Sequence, residues 1–97
     1  MNLKFIFFEA PGCKPCKKLL PKVQAAASRW NLSLQIVDIY SDEGMPLVFE
    51  YEDKLGVKIN EVPLLITEWK DLNGVISYQA YKGNVHNFLE ILLKKRG

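Results

Sequence analysis

Cysteine is scarce in this chain: Cys13 and Cys16 are the two present among 97 residues. A loop closed over so short a separation removes little entropy from the unfolded state, so the pair is excluded as a structural staple and needs a chemical explanation. Histidine is scarcer still. His86 stands alone and far along the chain, and with two cysteines it falls short of the four ligands of a structural zinc site, so no metal is expected. It reads instead as an exposed residue in the first turn of the last helix. Charge of one sign is also lacking: 13 Lys and Arg against 11 Asp and Glu leave a net +2, too little to argue for nucleic acid or an anionic membrane as partner. No apolar run approaches the roughly 20 residues that span a bilayer. The run Ile6, Phe7, Phe8 after Lys4 is too short for the core of a signal peptide and is broken by Glu9 and Pro11. A soluble, monomeric protein of a reducing, cytoplasmic compartment is therefore expected. Repeats, low-complexity tracts and Pro- or Ser-rich linkers are absent, which leaves residues 1–97 as a single domain. A hydrophobic share of 48% with 25% charged residues excludes disorder and suits one compact core.

What is present reads as an ordered series of elements. Leu3 to Phe8 are apolar almost without interruption, as in a strand covered on both faces. Ala10, Pro11 and Gly12 end it. From Cys13 onward, Cys16, Leu19, Leu20, Val23, Ala26 and Ala27 recur at helical spacing with lysines on the other face. Pro15 falls in the first turn, where a missing N–H is harmless, whereas Pro21 falls inside the helix and is expected to bend it. Leu34 to Tyr40 predict a second strand, and Pro46 to Leu55 a helix stopped by Gly56. Val62 to Thr67 and Val75 to Tyr81 predict an antiparallel hairpin turned at Asn73-Gly74, with Trp69 to Leu72 in a long connection. Asn84 can cap a last helix striped by Val85, Phe88, Leu89 and Leu92, with Lys94, Lys95 and Arg96 at its negative end. The order βαβαββα predicts an α/β fold: a central mixed four-stranded sheet with helices on both faces.

The chemistry gathers at Cys13-Lys14-Pro15-Cys16. Two thiols separated by two residues at a helix start can close an intramolecular disulfide. The first of them sits where free backbone N–H groups and the helix dipole favour an anion. Cys13 is thus the expected nucleophile, with a thiol pKa below the free value of about 8.5. Lys14 and Pro15, enclosed by the cysteines, are the positions expected to tune it, and Lys17 and Lys18 add charge nearby. Cys16, one turn further in, is expected to be shielded and to act second, resolving the mixed disulfide formed with a substrate. Trp30 and Trp69 read first as packing residues, Trp69 being the one that could rim a substrate groove.

At this point the chain resembles the thioredoxin family, and the likeness extends over most of its length. It is carried by the first strand, by Ala10-Pro-Gly-Cys-Lys-Pro-Cys-Lys17, by Pro21, by Gly56-Val57 with Glu61-Val62-Pro63-Leu64, and by Gly83 before the last helix. The resemblance implies a thioredoxin-like fold and a protein disulfide oxidoreductase that uses its own disulfide and no other cofactor. It also implies disulfide-bearing protein substrates and a flavin-dependent reductase as electron donor. It places Val62, Pro63 and Gly83 on the substrate side of the disulfide, with Pro63 after a cis peptide bond and Val62 offering backbone groups to an extended substrate. Independently, Pro63 opens an apolar run, a position where a strand tolerates a residue without an N–H. Thioredoxins carry an aspartate six residues before the first cysteine and a tryptophan just before it; here Phe7 and Gly12 stand there. The proton of Cys16 is then expected to go to water, with the Cys13 thiolate and Glu9 as the other acceptors. Starting at the strand that leads to the cysteines, the chain is nearer in outline to glutaredoxin. Yet Lys14-Pro15 replaces that group's aromatic, and Gly83-Asn84-Val85 replaces its glutathione clamp. A glutathione-dependent reductase and a non-catalytic interaction module of the same fold remain the alternatives.

Overall fold

The structure, a computed structural model, describes residues 2–94. Strand β1 (Asn2–Glu9) leads into helix α1 (Lys14–Arg29), followed by β2 (Ser33–Asp38), α2 (Gly44–Leu55), β3 (Leu64–Lys70), β4 (Ile76–Tyr81) and α3 (Val85–Lys94). The strands lie in the order β2-β1-β3-β4. β1 is parallel to β2, with Phe7 beside Ile36, and antiparallel to β3, with Phe7 beside Leu65. β3 and β4 close the sheet as an antiparallel pair. The mixed four-stranded α/β architecture read from the sequence is the one observed.

The uninterrupted hydrophobicity of Phe5 to Phe8 in β1 follows from their central place. Alternate side chains point to opposite faces of a sheet, so a strand covered twice must be apolar at every position. Phe5 and Phe7 join Cys16, Val23, Ala26, Leu65, Val85 and Leu89 on the face covered by α1 and α3. Ile6 and Phe8 join Val48, Tyr51, Ile59, Leu64 and Ile66 on the face covered by α2. On that second face the Tyr51 hydroxyl donates to Glu68 Oε1 at 3.0 Å. Burial first, and then this carboxylate partner, hold the Tyr51 phenol well above its ordinary pKa. On the first face Tyr81 stacks on Phe88 with centroids 4.0 Å apart, and Trp30 Nε1 donates to the Leu92 carbonyl at 3.0 Å. The first contact ties α3 to β4 and the second ties it to the end of α1.

Several boundaries differ from the sequence reading, each for a local reason. β2 runs from Ser33 to Asp38 rather than from Leu34 to Tyr40. Asp38 ends it by accepting the Tyr40 N–H on its side chain at 2.9 Å and the Ser41 N–H on its carbonyl, the competition with the ladder that short polar side chains offer. β3 starts at Leu64, one residue after Pro63 and two after Val62, since Pro63 has no N–H to give the ladder. At its other end β3 includes Trp69 and Lys70, which pair with Ser77 and Ile76, so the connection is a compact turn in place of the long one expected. Asp71 Oδ1 organises that turn by accepting the N–H groups of Asn73 and Val75. β4 begins at Ile76, leaving Val75 in the turn. Helix α1 continues through Pro21. The Asn84 carbonyl accepts the Phe88 N–H at the start of α3, while Lys95 and Arg96 lie outside the described residues.

α2 begins at Gly44, two residues before the expected Pro46, because Ser41 Oγ accepts the Gly44 N–H while donating to the Asp38 carbonyl, both at 2.9 Å. A Cβ at position 44 would collide with that same carbonyl. Gly44→Ala is therefore expected to force the backbone apart and cost about 1–3 kcal/mol, read as a thermal midpoint lower by roughly 4–8 °C per kcal/mol. An unchanged midpoint would show that the loop yields freely. Among the described residues, no helix is long and apolar enough to cross a membrane.

Candidate active site

β1 delivers the chain to the cysteines from the centre of the sheet. After Glu9 the backbone turns, with the Cys13 N–H donating to the Ala10 carbonyl at 3.2 Å. Gly12 takes φ +77°, a left-handed conformation that penalises any residue with a Cβ. That is a physical reason for glycine, and against tryptophan, at this position.

Cys13 is the N-cap of α1, and its Sγ accepts the Cys16 N–H at 3.2 Å. Pro15 follows in the first turn. It contributes no donor there, so the amide of Cys16 is directed at the sulfur in the position a capping oxygen takes. The first turn carries no acidic side chain to oppose the positive end of the helix dipole. Cys13 and Cys16 form a disulfide with their Cα atoms 5.2 Å apart, within the usual span of about 4.4–6.8 Å. The two sulfurs are unequally placed. Cys16 is 1% exposed and belongs to the cluster of Phe5, Phe7 and Leu65, whereas Cys13 is half-buried at its edge.

Beside the disulfide lies an open cleft of about 340 Å³ between the first turns of α1, the loop before β3 and the start of α3. Pro15 and Leu19 form one wall, Val62 and Pro63 another, and Gly83, Val85 and His86 a third, with Glu61 and Lys82 at the rim. The Val62–Pro63 peptide bond is cis. Thus Pro15, Val62, Pro63 and Gly83, dispersed in sequence, meet in one place, while Lys14 is exposed next to Cys13. His86, read from the sequence as merely exposed, lines the same cleft. Its Nδ1 lies 3.0 Å from Lys22 Nζ, which also donates to Glu90 Oε1 at 2.9 Å. The Lys22 hydrogen bond and charge hold the Glu90 carboxyl below the usual carboxylate range. Leu19, Glu61, Lys82 and His86 were not singled out from the sequence as cleft residues. For Leu19 and His86 the one signal is helical spacing: Pro15, Leu19 and Lys22 share a face of α1, and His86 and Glu90 a face of α3; Glu61 and Lys82 lie outside the helices and had none. Which faces meet depends on how the helices dock.

Other candidates lie elsewhere. Phe7 is fully buried under the site and puts hydrocarbon where a buried proton acceptor would stand. Glu9 lines a separate hollow with Asp38, Ser41 and Leu47. Trp30 and Trp69 line a third hollow, of about 490 Å³, with Leu3 and Lys4 at the start of β1, the end remote from Cys13; Trp69 does not rim the cleft beside the disulfide. Among the described residues, no group of three or more His, Cys, Asp or Glu side chains converges as metal ligands would.

Neither protein-family models nor curated proteins give a match. Solved structures do. Thioredoxin O2 of Arabidopsis thaliana in its oxidised state superposes with a TM-score of 0.63 at 20% identity, covering 99% of this chain and 76% of that one. Fasciola hepatica thioredoxin gives 0.61 at 23% identity over 96% and 80%, and thioredoxin 1 of Thermosipho africanus 0.58 at 21% over 94% and 91%. The chain has the thioredoxin-like fold. Within it, the cysteine pair opens the first helix at the end of the central strand.

Proposed function

We propose that this thioredoxin-like protein is a thiol–disulfide oxidoreductase that reduces disulfides in other proteins, with Cys13 attacking and Cys16 resolving. The observation that carries the reading is the asymmetry of the pair: a reachable sulfur that accepts a helix-start amide, joined to a sulfur sealed in the core. In the reduced protein the Cys13 thiolate attacks a client S–S bond. A Cys13–client disulfide forms and the client's other sulfur leaves as a thiolate. Cys16 then loses its proton to water and attacks Cys13 Sγ, which re-forms the Cys13–Cys16 bond and releases the second client sulfur as a thiolate. Two electrons pass from the protein dithiol to the client. A flavin-dependent reductase restores the dithiol by the reverse exchange. In this reading Val62, Pro63 and Gly83 form the surface on which the client backbone lies, and the protein works as a monomer in the cytoplasm.

Equilibration with glutathione redox buffers, followed by acid quench and thiol counting, tests the direction. The expected potential lies at the reducing end of the range of dithiol proteins, about −270 mV; a value near −120 mV would make the protein an oxidant and overturn the reductase role.

A further inference from the structure

Charge is unevenly shared around the cleft. Every charged side chain of α1 is cationic: Lys14, Lys17, Lys18, Lys22 and Arg29. Glu90 neutralises Lys22. Among the described residues, however, Lys14, Lys17, Lys18 and Lys82 make no ion pair. Lys14 lies between the cysteines and Lys17 and Lys18 follow them on α1, outside the lining of the cleft, whereas Lys82 is exposed on its rim. The anion among the lining residues is Glu61. Glu50, Glu52 and Asp53 lie on α2, which covers the other face of the sheet, while Glu9 ends β1 four residues before Cys13. Below the charged rim, Leu19, Val62, Pro63 and Val85 present hydrocarbon.

An apolar cleft next to a disulfide whose helix carries three lysines without an ion pair among the described residues complements a segment with an apolar and an acidic side chain. We propose that it selects disulfides flanked by acidic residues, with Lys82 and the lysines at the start of α1 as the specificity determinants. The selection rests on the oxidoreductase reading above. Charges on the rim act chiefly on encounter and on the salt dependence of the rate. Only those within a Debye length of about 8–10 Å contribute at physiological salt, so the acidic residue must lie within a few positions of the attacked cysteine. The cations also favour the transition state, in which the client's departing sulfur gains negative charge.

Two synthetic peptides with the same disulfide loop, one flanked by Glu and one by Lys, test this with the reduced protein. At low ionic strength kcat/KM is expected to favour the acidic peptide by about three- to tenfold, falling towards parity in about 1 M salt. Lys82→Glu should level or reverse the preference, and Glu61→Gln should widen it. Lys70→Glu, at the far end of β3, should leave it unchanged. Thermal melts confirm that each variant is folded. Equal rates on both peptides, abolished by Cys13→Ser, overturn the selection and leave the oxidoreductase standing; a preference that Lys82→Glu does not move overturns it too. Oxidised glutathione also carries carboxylates, and its faster turnover than the acidic peptide's would assign these lysines to a small disulfide and overturn the proposal. Failure to reduce either peptide removes both readings.

Discussion

Cys13→Ser is expected to lower the rate of insulin reduction to that of the uncatalysed control, a loss on the order of 10³-fold or more. Cys16→Ser is expected to leave the first attack intact and stop the second. The two sulfurs differ in access and in hydrogen bonding, so their loss should differ in kind. In Cys16→Ser the Cys13 sulfur keeps its place at the N-cap, where it accepts the amide of residue 16, and it can still open a client disulfide. No internal thiol then releases the product, so a covalent protein–client adduct should accumulate, visible on non-reducing gels and lost on adding dithiothreitol. In Cys13→Ser no adduct should form, because Cys16 is sealed from a visiting chain. Iodoacetamide reports the same asymmetry: Cys16→Ser should be alkylated with a pH midpoint below the free-thiol value of about 8.5, and Cys13→Ser should be alkylated slowly at any pH that preserves the fold. Adducts of equal yield from both variants would remove the assignment of roles. Equal insulin reduction by wild type and Cys13→Ser would reduce the protein to an interaction module.

The unequal exposure of the cysteines was legible before the structure because it depends on local geometry: a strand end, a glycine, a helix start and a one-turn offset fix which sulfur faces out. The architecture was legible for a related reason, since the fully apolar run of β1 admits only a place covered on both sides. The cleft was less so. Val62, Pro63 and Gly83 were placed at it by resemblance, and no periodicity within the chain brings Gly83 to Pro15. His86 and Lys82 escaped because a short polar stretch at a helix start reads as solvent-facing, and only the docking of α3 beside α1 turns it towards the disulfide. The boundaries at Asp38, Gly44 and Trp69 escaped because side-chain hydrogen bonds and cross-strand partners set them, and neither is visible in hydrophobic patterning.

Phe7→Asp is expected to have the largest effect on stability, and its sign with pH can be worked out in advance. Phe7 is fully buried between Ile36 and Leu65 in the cluster that holds Cys16. Truncating a core phenylalanine costs about 3–5 kcal/mol, and a carboxyl group left there without a partner adds about 1–3 kcal/mol. A chain of this length has roughly 5–15 kcal/mol to lose, so the variant should be marginal or unfolded at neutral pH. Phe7→Leu, which keeps most of the hydrocarbon, should cost only about 1 kcal/mol. Burial raises the pKa of the new carboxyl in the folded state above its unfolded value of about 3.9. The unfolded chain then releases the proton first as pH rises, and by linkage the deficit is smallest below about pH 4 and grows until the folded-state pKa is passed. Guanidinium unfolding of the three proteins at acid and neutral pH measures this directly. A Phe7→Asp protein as stable as wild type at neutral pH would mean that water or a cation reaches the floor of the site.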